Sequence, residues 1–362
     1  MITVRKKTTL FLAPLVLSLA TAKAADVTGP YFGQTPPGKT PRIFAPGILS
    51  LSNRLEARIA FSPDGNECFF TVPSDYNWSK VQLYYTKCVN NVWTRQMLAP
   101  FSLGGSQFEP FFSADGNRLY FTCDANGTAD IWMVQRTPQG WGTPQVLAAP
   151  INSSASEGNY SETTSGTAYF YSNRSGGMGW NDIWRVSPQP PGQPVRAENL
   201  GSVINSSATE GDPLISPDGR YLIFASDRSG GSGNLDLYVA FTNGNGGFTT
   251  PVNMNIYCPG INTNAYEYSP SLSADGRYLF FIHLSFNPQQ CDVYWVANPF
   301  FPQLAISLNH TNVNLNWSTN LPGLMLESVT QFGASWMPVP GVTGYSATLP
   351  VNAGSQFFRL GK

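Results

Sequence analysis

Five copies of one turn motif constrain the fold more than any other feature of this chain. Phe61-Ser62-Pro63-Asp64-Gly65, Phe112-Ser113-Ala114-Asp115-Gly116, Ile215-Ser216-Pro217-Asp218-Gly219 and Leu272-Ser273-Ala274-Asp275-Gly276 align directly, and Thr163-Thr164-Ser165-Gly166 is a degenerate copy in the gap. The turn glycines lie 51, 50, 53 and 57 residues apart. A period of that length suits a propeller blade and not a helical repeat.

Each copy has the same internal order. An apolar strand enters the Asp-Gly turn, where glycine supplies the positive φ. A second strand follows, as in Leu119-Tyr120-Phe121 or Tyr221-Leu222-Ile223-Phe224, and then a Gly/Ser/Asn loop, clearest at Asn173 to Gly177 and Asp227 to Gly231. The third strand opens with Gln82, Asp130, Asp182, Asp236 or Asp292, and a short fourth strand closes the copy, as in Trp141 to Leu147. Four such strands cannot bury their faces alone, whereas radial stacking buries both faces and leaves short edges. No fourth strand follows the last copy before Pro299, but Thr40 to Pro46 matches that register and is expected to close the ring. The expectation is an all-β fold: a five-bladed β-propeller closed by an N-terminal strand. The alternative, a six-bladed ring, would need about 40 more residues of this kind.

The composition agrees. Gly numbers 34 and Pro 29, charged residues are only 12%, and aromatics are 13%, a turn-rich and helix-poor chain. Formal net charge is −1, which gives no electrostatic case for nucleic acid or an anionic membrane surface. Arg5, Lys6 and Lys7, the apolar run Leu10 to Ala20 and the small residues of Ala22-Lys23-Ala24 read as a signal peptide over 1–24. The propeller is expected over 25–301 and a small C-terminal β-sandwich-like module over 302–362. The localisation expected is periplasmic or secreted, with no membrane span and the chain a monomer. Among the five cysteines, Cys68 and Cys88 fall near one end of neighbouring strands and are the expected disulfide; Cys123, Cys258 and Cys291 stay open.

The copies built on Ser-Pro-Asp-Gly, an aromatic strand, Asp-Arg-Ser-Gly-Gly and Asp-Leu-Tyr resemble the WD-repeat-like propeller repeats of the TolB-like superfamily. The resemblance runs nearly to Phe301. It implies the propeller fold and leaves function open, since members serve as periplasmic docking proteins and as accessory domains of peptidases. Nothing here could form the α/β domain that precedes the propeller in TolB itself.

Acidic residues recur nine positions before the turn glycine: Glu56, Glu157, Glu210 and Glu267, with Gln107 in the second copy. Such side chains could ring one mouth of the channel and hold a divalent cation as cofactor; or each orients its own blade, which the repetition favours. Asp130, Asp182, Asp236 and Asp292 open third strands, and an Asp pairing with Arg174 or Arg228 would stiffen the loop. The two arginines are also candidate binding residues. The enzyme alternative is a glycan-active hydrolase, with Glu210, Glu267 and Asp212 as its carboxylates and Glu56, Glu109 and Glu157 in reserve. The two histidines, His283 and His310, stand in no nucleophile, zinc or phosphate-binding motif. Trp93 and Trp141 recur before the fourth strand and read as packing. Tyr76, Trp78 and Trp180 follow the repeat less closely and are the expected contact surface for a protein or glycan of the cell envelope. The reading is a non-catalytic exported binding or scaffold protein.

Overall fold

A computed structural model describes residues 26–101, 103–309, 311–317, 323–331, 333–342, 344–351 and 355–361. The expected signal peptide over 1–24 and His310 lie outside the described residues.

Five antiparallel sheets follow one another along the chain. The first is built from Ala57–Phe61, Glu67–Pro73 and Val81–Val89, with the short strands Val92–Trp93 and Met97–Leu98 both pairing Val81–Val89. The second runs Gln107–Phe112, Arg118–Cys123, Asp130–Thr137, then Gly140–Trp141 and Gln145–Val146. The third (Glu157–Glu162, Ala168–Ser172, Asp182–Val186, Ala197–Asn199) and the fourth (Glu210–Ile215, Tyr221–Ser226, Asp236–Phe241, Val252–Asn253) are simple four-stranded meanders. The fifth contributes Tyr266–Leu272, Tyr278–Phe286 and Gln289–Ala297. Its outermost strand comes from the other end of the chain: Arg42–Ile43 pairs with it, Arg42 opposite Trp295 and Ile43 opposite Tyr294. The first strands of the sheets pack against one another in cyclic order, the fifth returning to the first. This is the propeller arrangement, with its axis along the five inner strands.

The turns form for the reason their residues imply. In four copies the serine hydroxyl bonds the aspartate two residues on, at 2.5 Å in Ser62–Asp64 and 2.8 Å in Ser216–Asp218, and the glycine N–H closes onto the serine carbonyl. The glycines take the positive φ that a side chain would resist. The degenerate copy keeps the shape with a Thr163–Ser165 hydroxyl pair at 2.9 Å.

The ring is held in two ways. At the closure, Phe44, Phe280 and Trp295 are fully buried with Phe32 and Phe61 against them; Phe280 stacks on Trp295 with centroids 5.9 Å apart. Between sheets, one backbone bond recurs from the glutamate at the start of an inner strand, or within one residue of it, to the preceding sheet's third strand or the residue just before it: Glu157 to Ala129, Glu210 to Asn181, Glu267 to Leu235 and, across the closure, Glu56 to Cys291.

Two small sheets follow, Leu304–Asn309 with Asn312–Trp317 and Ser346–Pro350, and Met337–Pro338 with Met325–Val329 and Phe357–Gly361. Leu315, Trp317, Leu326 and Val339 form their shared core, while Leu324 packs into the cluster around Phe300 and Val296. All five cysteines are free thiols, which corrects the expected Cys68–Cys88 bridge. The strand register sets Cys68 opposite Thr86 and Cys88 opposite Trp93, so the two thiols are not partners across the ladder. No helix among the described residues is long and apolar enough to cross a membrane.

Candidate functional site

The repeated glutamates are fully buried, and each is held inside its own sheet. Glu157 accepts from Ser153 N–H at 2.8 Å, from the Ser153 and Ser172 hydroxyls at 2.6 Å each, and pairs with Arg174 at 3.1 Å. Glu210 repeats this with Ser206, Ser226 and Arg228. Glu267 accepts from Thr263 twice and meets His283 Nδ1 at 2.8 Å. Glu56 meets Arg54 at 2.6 Å, and burial outweighs that partner to push its carboxyl up to about 8. The side chains therefore do not gather at a channel mouth. Among the described residues no group of three or more His, Cys, Asp or Glu side chains is placed to hold a metal ion, and of the two readings open for Glu56, Glu157, Glu210 and Glu267 these bonds favour the one in which each orients its own blade. Glu210 and Glu267 likewise have no exposed oxygen to offer a substrate.

Arg174 and Arg228 turn inward as well. Besides its glutamate, Arg174 donates to the Pro150 and Ile151 carbonyls and lies over Phe170 and Trp184; Arg228 donates to Ile204 and lies over Phe224 and Tyr238. Both are thereby removed from the expected binding surface, and their ionic partners are the glutamates and not the third-strand aspartates. Asp182 and Asp236 instead collect loop N–H groups, from Met178 and Gly179 and from Ser232 and Gly233.

A second repeat position was not legible as a set. Two residues after each glutamate position the inner strand bulges, and the bulge turns a side chain to the axis. The five occupants are Arg58, Glu109, Asn159, Asp212 and Ser269, and all but Arg58 sit at positive φ. Arg58, 1% exposed, donates through Nη1 to Asn159 Oδ1 and through Nε to the Pro110 carbonyl at 3.2 Å. Asn159 passes the link on to Asp212 at 2.8 Å, and the Ser269 N–H reaches Asp212 at 3.0 Å. Glu109 accepts from the Asn159 N–H at 2.8 Å and the Thr122 hydroxyl at 2.7 Å, while its own N–H donates to Thr71. One polar network thus joins all five sheets.

Its electrostatics are those of two acids sharing one cation. Burial and the Asp212 charge push the Glu109 carboxyl up to about 8, and burial raises Asp212 as well. Burial pulls Arg58 down to about 10 against the pull of both carboxylates. Tyr171 and Tyr268 feel the same two acids, on top of burial, and their hydroxyls are held well above the usual range. Counting back seven residues from each turn glycine would have found the set; chemical dissimilarity hid it.

The third feature is a cleft of about 890 Å³ between the first and fifth sheets. Its walls include Arg54, Asp75 and Tyr76 on one side and Gln289, Gln290 and Asp292 on the other. Asp75 orders the loop that carries Tyr76: it accepts from Asn77 N–H at 2.9 Å, Ser79 N–H at 3.2 Å and two serine hydroxyls. Trp78 is held at φ 55, an unusual conformation for a bulky residue, with its ring beside Tyr268. Tyr76 lies 6.0 Å from Phe286, which is 51% exposed. Of the three aromatic residues expected at a contact surface, Tyr76 and Trp78 share this loop. Trp180, 75% exposed, stands on the third sheet's loop.

No family model matches the chain, and no curated protein matches it. Among solved structures the chain is similar to TolB from Acinetobacter baumannii, at 13% identity over 87% of this chain and 66% of that one, with a TM-score of 0.38. It is also similar to a periplasmic gluconolactonase from Pseudomonas aeruginosa (13%, 84% and 87%, 0.36) and to the tricorn protease (13%, 74% and 26%, 0.43). The propeller assignment rests on the sheet order and the cycle of inner strands described above.

Proposed function

We propose that the protein is a non-catalytic, exported binding protein of the cell envelope. Its propeller spans 25–301, with a small β module over 302–362. It takes its partner on the face that carries the loops between second and third strands. One observation carries the reading: the cleft between the first and fifth sheets is walled by an aromatic residue on a loop already ordered by Asp75, so little ordering cost falls on binding. The carboxylates an enzyme would need support the same reading from the other side, since those at the glutamate positions are bonded within their own sheets.

The test is retention of isolated cell-envelope fractions by the immobilised mature protein. Wild type should hold a component that Tyr76→Ala releases; equal retention by both would reject the cleft as the binding face. A second reading, glycan hydrolysis, has one observation in its favour: Glu109 and Asp212 meet in the axial network through Asn159, with burial and the Asp212 charge raising the Glu109 carboxyl. Turnover of aryl glycosides that vanishes in Glu109→Gln would establish that reading and overturn the first.

A further inference from the structure

We infer that the cleft between the first and fifth sheets is a site for a neutral saccharide, an inference that rests on the binding reading above and names its ligand class. The size fits a small ligand: about 890 Å³ falls within the ~300–1,000 Å³ usual for such sites. A folded protein partner would instead need a broad surface of about 800 Å² on each side.

The wall chemistry narrows the class. Tyr76 lines the cleft, and Phe286, half-exposed, lies 6.0 Å from it and edge-on to Tyr266 at 5.8 Å, so aromatic surface continues beside the lining. Aromatic faces suit the C–H surface of a sugar ring, a large apolar area fixed at low entropic cost. Opposite stand Gln289, Gln290 and Asp292, amide and carboxylate ends of the kind that bond sugar hydroxyls; Gln290 Nε2 is engaged by Asp292 and Tyr294, which leaves its Oε1 to accept from a ligand hydroxyl. Gln290 and Asp292 are oriented by their own bond at 2.8 Å.

Charge excludes the anionic alternatives. Arg54 is the one Lys or Arg lining the cleft among the described residues, and its guanidinium is taken up by Glu56, the Leu49 carbonyl and Gln96. Phosphate, sulfate or uronate groups would find two aspartates beside a single guanidinium already paired with Glu56. Burial also holds the Asp292 carboxyl above its ordinary range, which disfavours it as a bare anion awaiting an ammonium group.

The experiment is isothermal titration of the full mature chain with hexaoses of the cello, xylo, manno and laminari series. Oligogalacturonate serves as the anionic arm and chitosan hexamer as the amine arm. At least one neutral hexaose should bind; Tyr76→Ala and Gln290→Ala should each weaken it by about tenfold or more, one decade of Kd being ~1.4 kcal/mol. Tyr76→Phe should restore binding, and Val146→Ala, on an outer strand of the second sheet and away from the cleft, should leave it unchanged. Thermal melts of each variant separate lost binding from lost fold. The proposal is overturned if no neutral hexaose binds, if an anionic or amine-bearing oligomer binds more tightly, or if Tyr76→Ala binds as wild type does. Envelope fractions stripped of glycan settle which level failed. If they are still held by wild type and released by Tyr76→Ala, the binding reading stands and the saccharide does not. If nothing is held in either format, both fall.

Discussion

Glu157 and Glu210 lie two residues before Asn159 and Asp212 on the same inner strands, yet the two positions are built on opposite principles. The glutamate position repeats: in the third, fourth and fifth sheets the carboxylate takes donors from the residue four earlier, and in the third and fourth sheets also a hydroxyl from the next strand and a guanidinium from the loop after it, while Gln107 in the second sheet donates its amide to the Leu103 carbonyl. The axial position does not repeat: Arg58, Glu109, Asn159, Asp212 and Ser269 make sense only together, because each satisfies a neighbour in another sheet. The first kind of site stabilises a blade and the second stabilises the ring. A propeller needs both, since identical blades carry no instruction about which copy adjoins which.

The comparison can be broken most forcefully at the glutamates. Glu210→Ala leaves Ser206 N–H, two hydroxyls and Arg228 without their acceptor in a buried place. Removing one member of a buried pair costs ~3–5 kcal/mol. Urea unfolding should show that loss, and a loss below about 1 kcal/mol would mean that water reaches the vacated space.

At the axis the effect should depend on the partner. Arg58→Met leaves Glu109 and Asp212 facing each other and should cost about 3 kcal/mol. Adding Glu109→Gln removes one acid, so the double variant should recover ~1–3 kcal/mol of that loss. Additive losses in the double-mutant cycle would show that Arg58 acts through packing alone.

The pH dependence has a defined sign. The folded Glu109 carboxyl titrates at about 8 against an ordinary value of 4.5, with Arg58, Asp212 and Tyr171 as the groups facing it. Between those values the folded chain keeps a proton that the unfolded chain has released. Stability therefore falls as pH rises through that window, by at most ~1.4 kcal/mol per pH unit for each such proton. Glu56, also at about 8, adds to the same slope. Glu109→Gln should flatten the profile partly and leave the contribution of Glu56; an unchanged profile would place the axial proton elsewhere.

The parts that were legible in the sequence are those that recur. The repeated Ser-x-Asp-Gly turns set the period, and the unpaired third strand before Pro299 pointed to the segment Thr40 to Pro46, within which Arg42–Ile43 makes the pairing. The glutamate position is visible in the repeat, and its partners recur less openly. The signal was there: Ile151-Asn152-Ser153, Ile204-Asn205-Ser206 and Ile261-Asn262-Thr263 each place a hydroxyl four residues before the glutamate. The asparagines in those triplets pair with the backbone of Ile131, Ile183 and Leu237 as a strand would. The axial set was hidden because its chemistry depends on three-dimensional neighbours from different copies. The Cys68–Cys88 expectation failed for a related reason: proximity along two strands does not determine register.

The smallest expected effect is also the most discriminating for the repeated position. In the fifth sheet His283 stands where Ser172 and Ser226 stand, and Ser285 where Arg174 and Arg228 stand, yet Glu267 is held as its counterparts are. If only satisfaction of the buried carboxylate matters, any donor set of the right reach will serve. His283→Ser with Ser285→Arg restores the pattern of the third and fourth sheets and should change stability by no more than about 0.5 kcal/mol. The same double variant should leave saccharide titration unaltered, because His283 does not line the cleft. A loss above ~2 kcal/mol would show that the imidazole fits a blade-specific environment, which includes the Tyr294 ring at 5.1 Å. The fifth glutamate would then belong with the axial residues, among the positions where one blade differs from the rest by necessity.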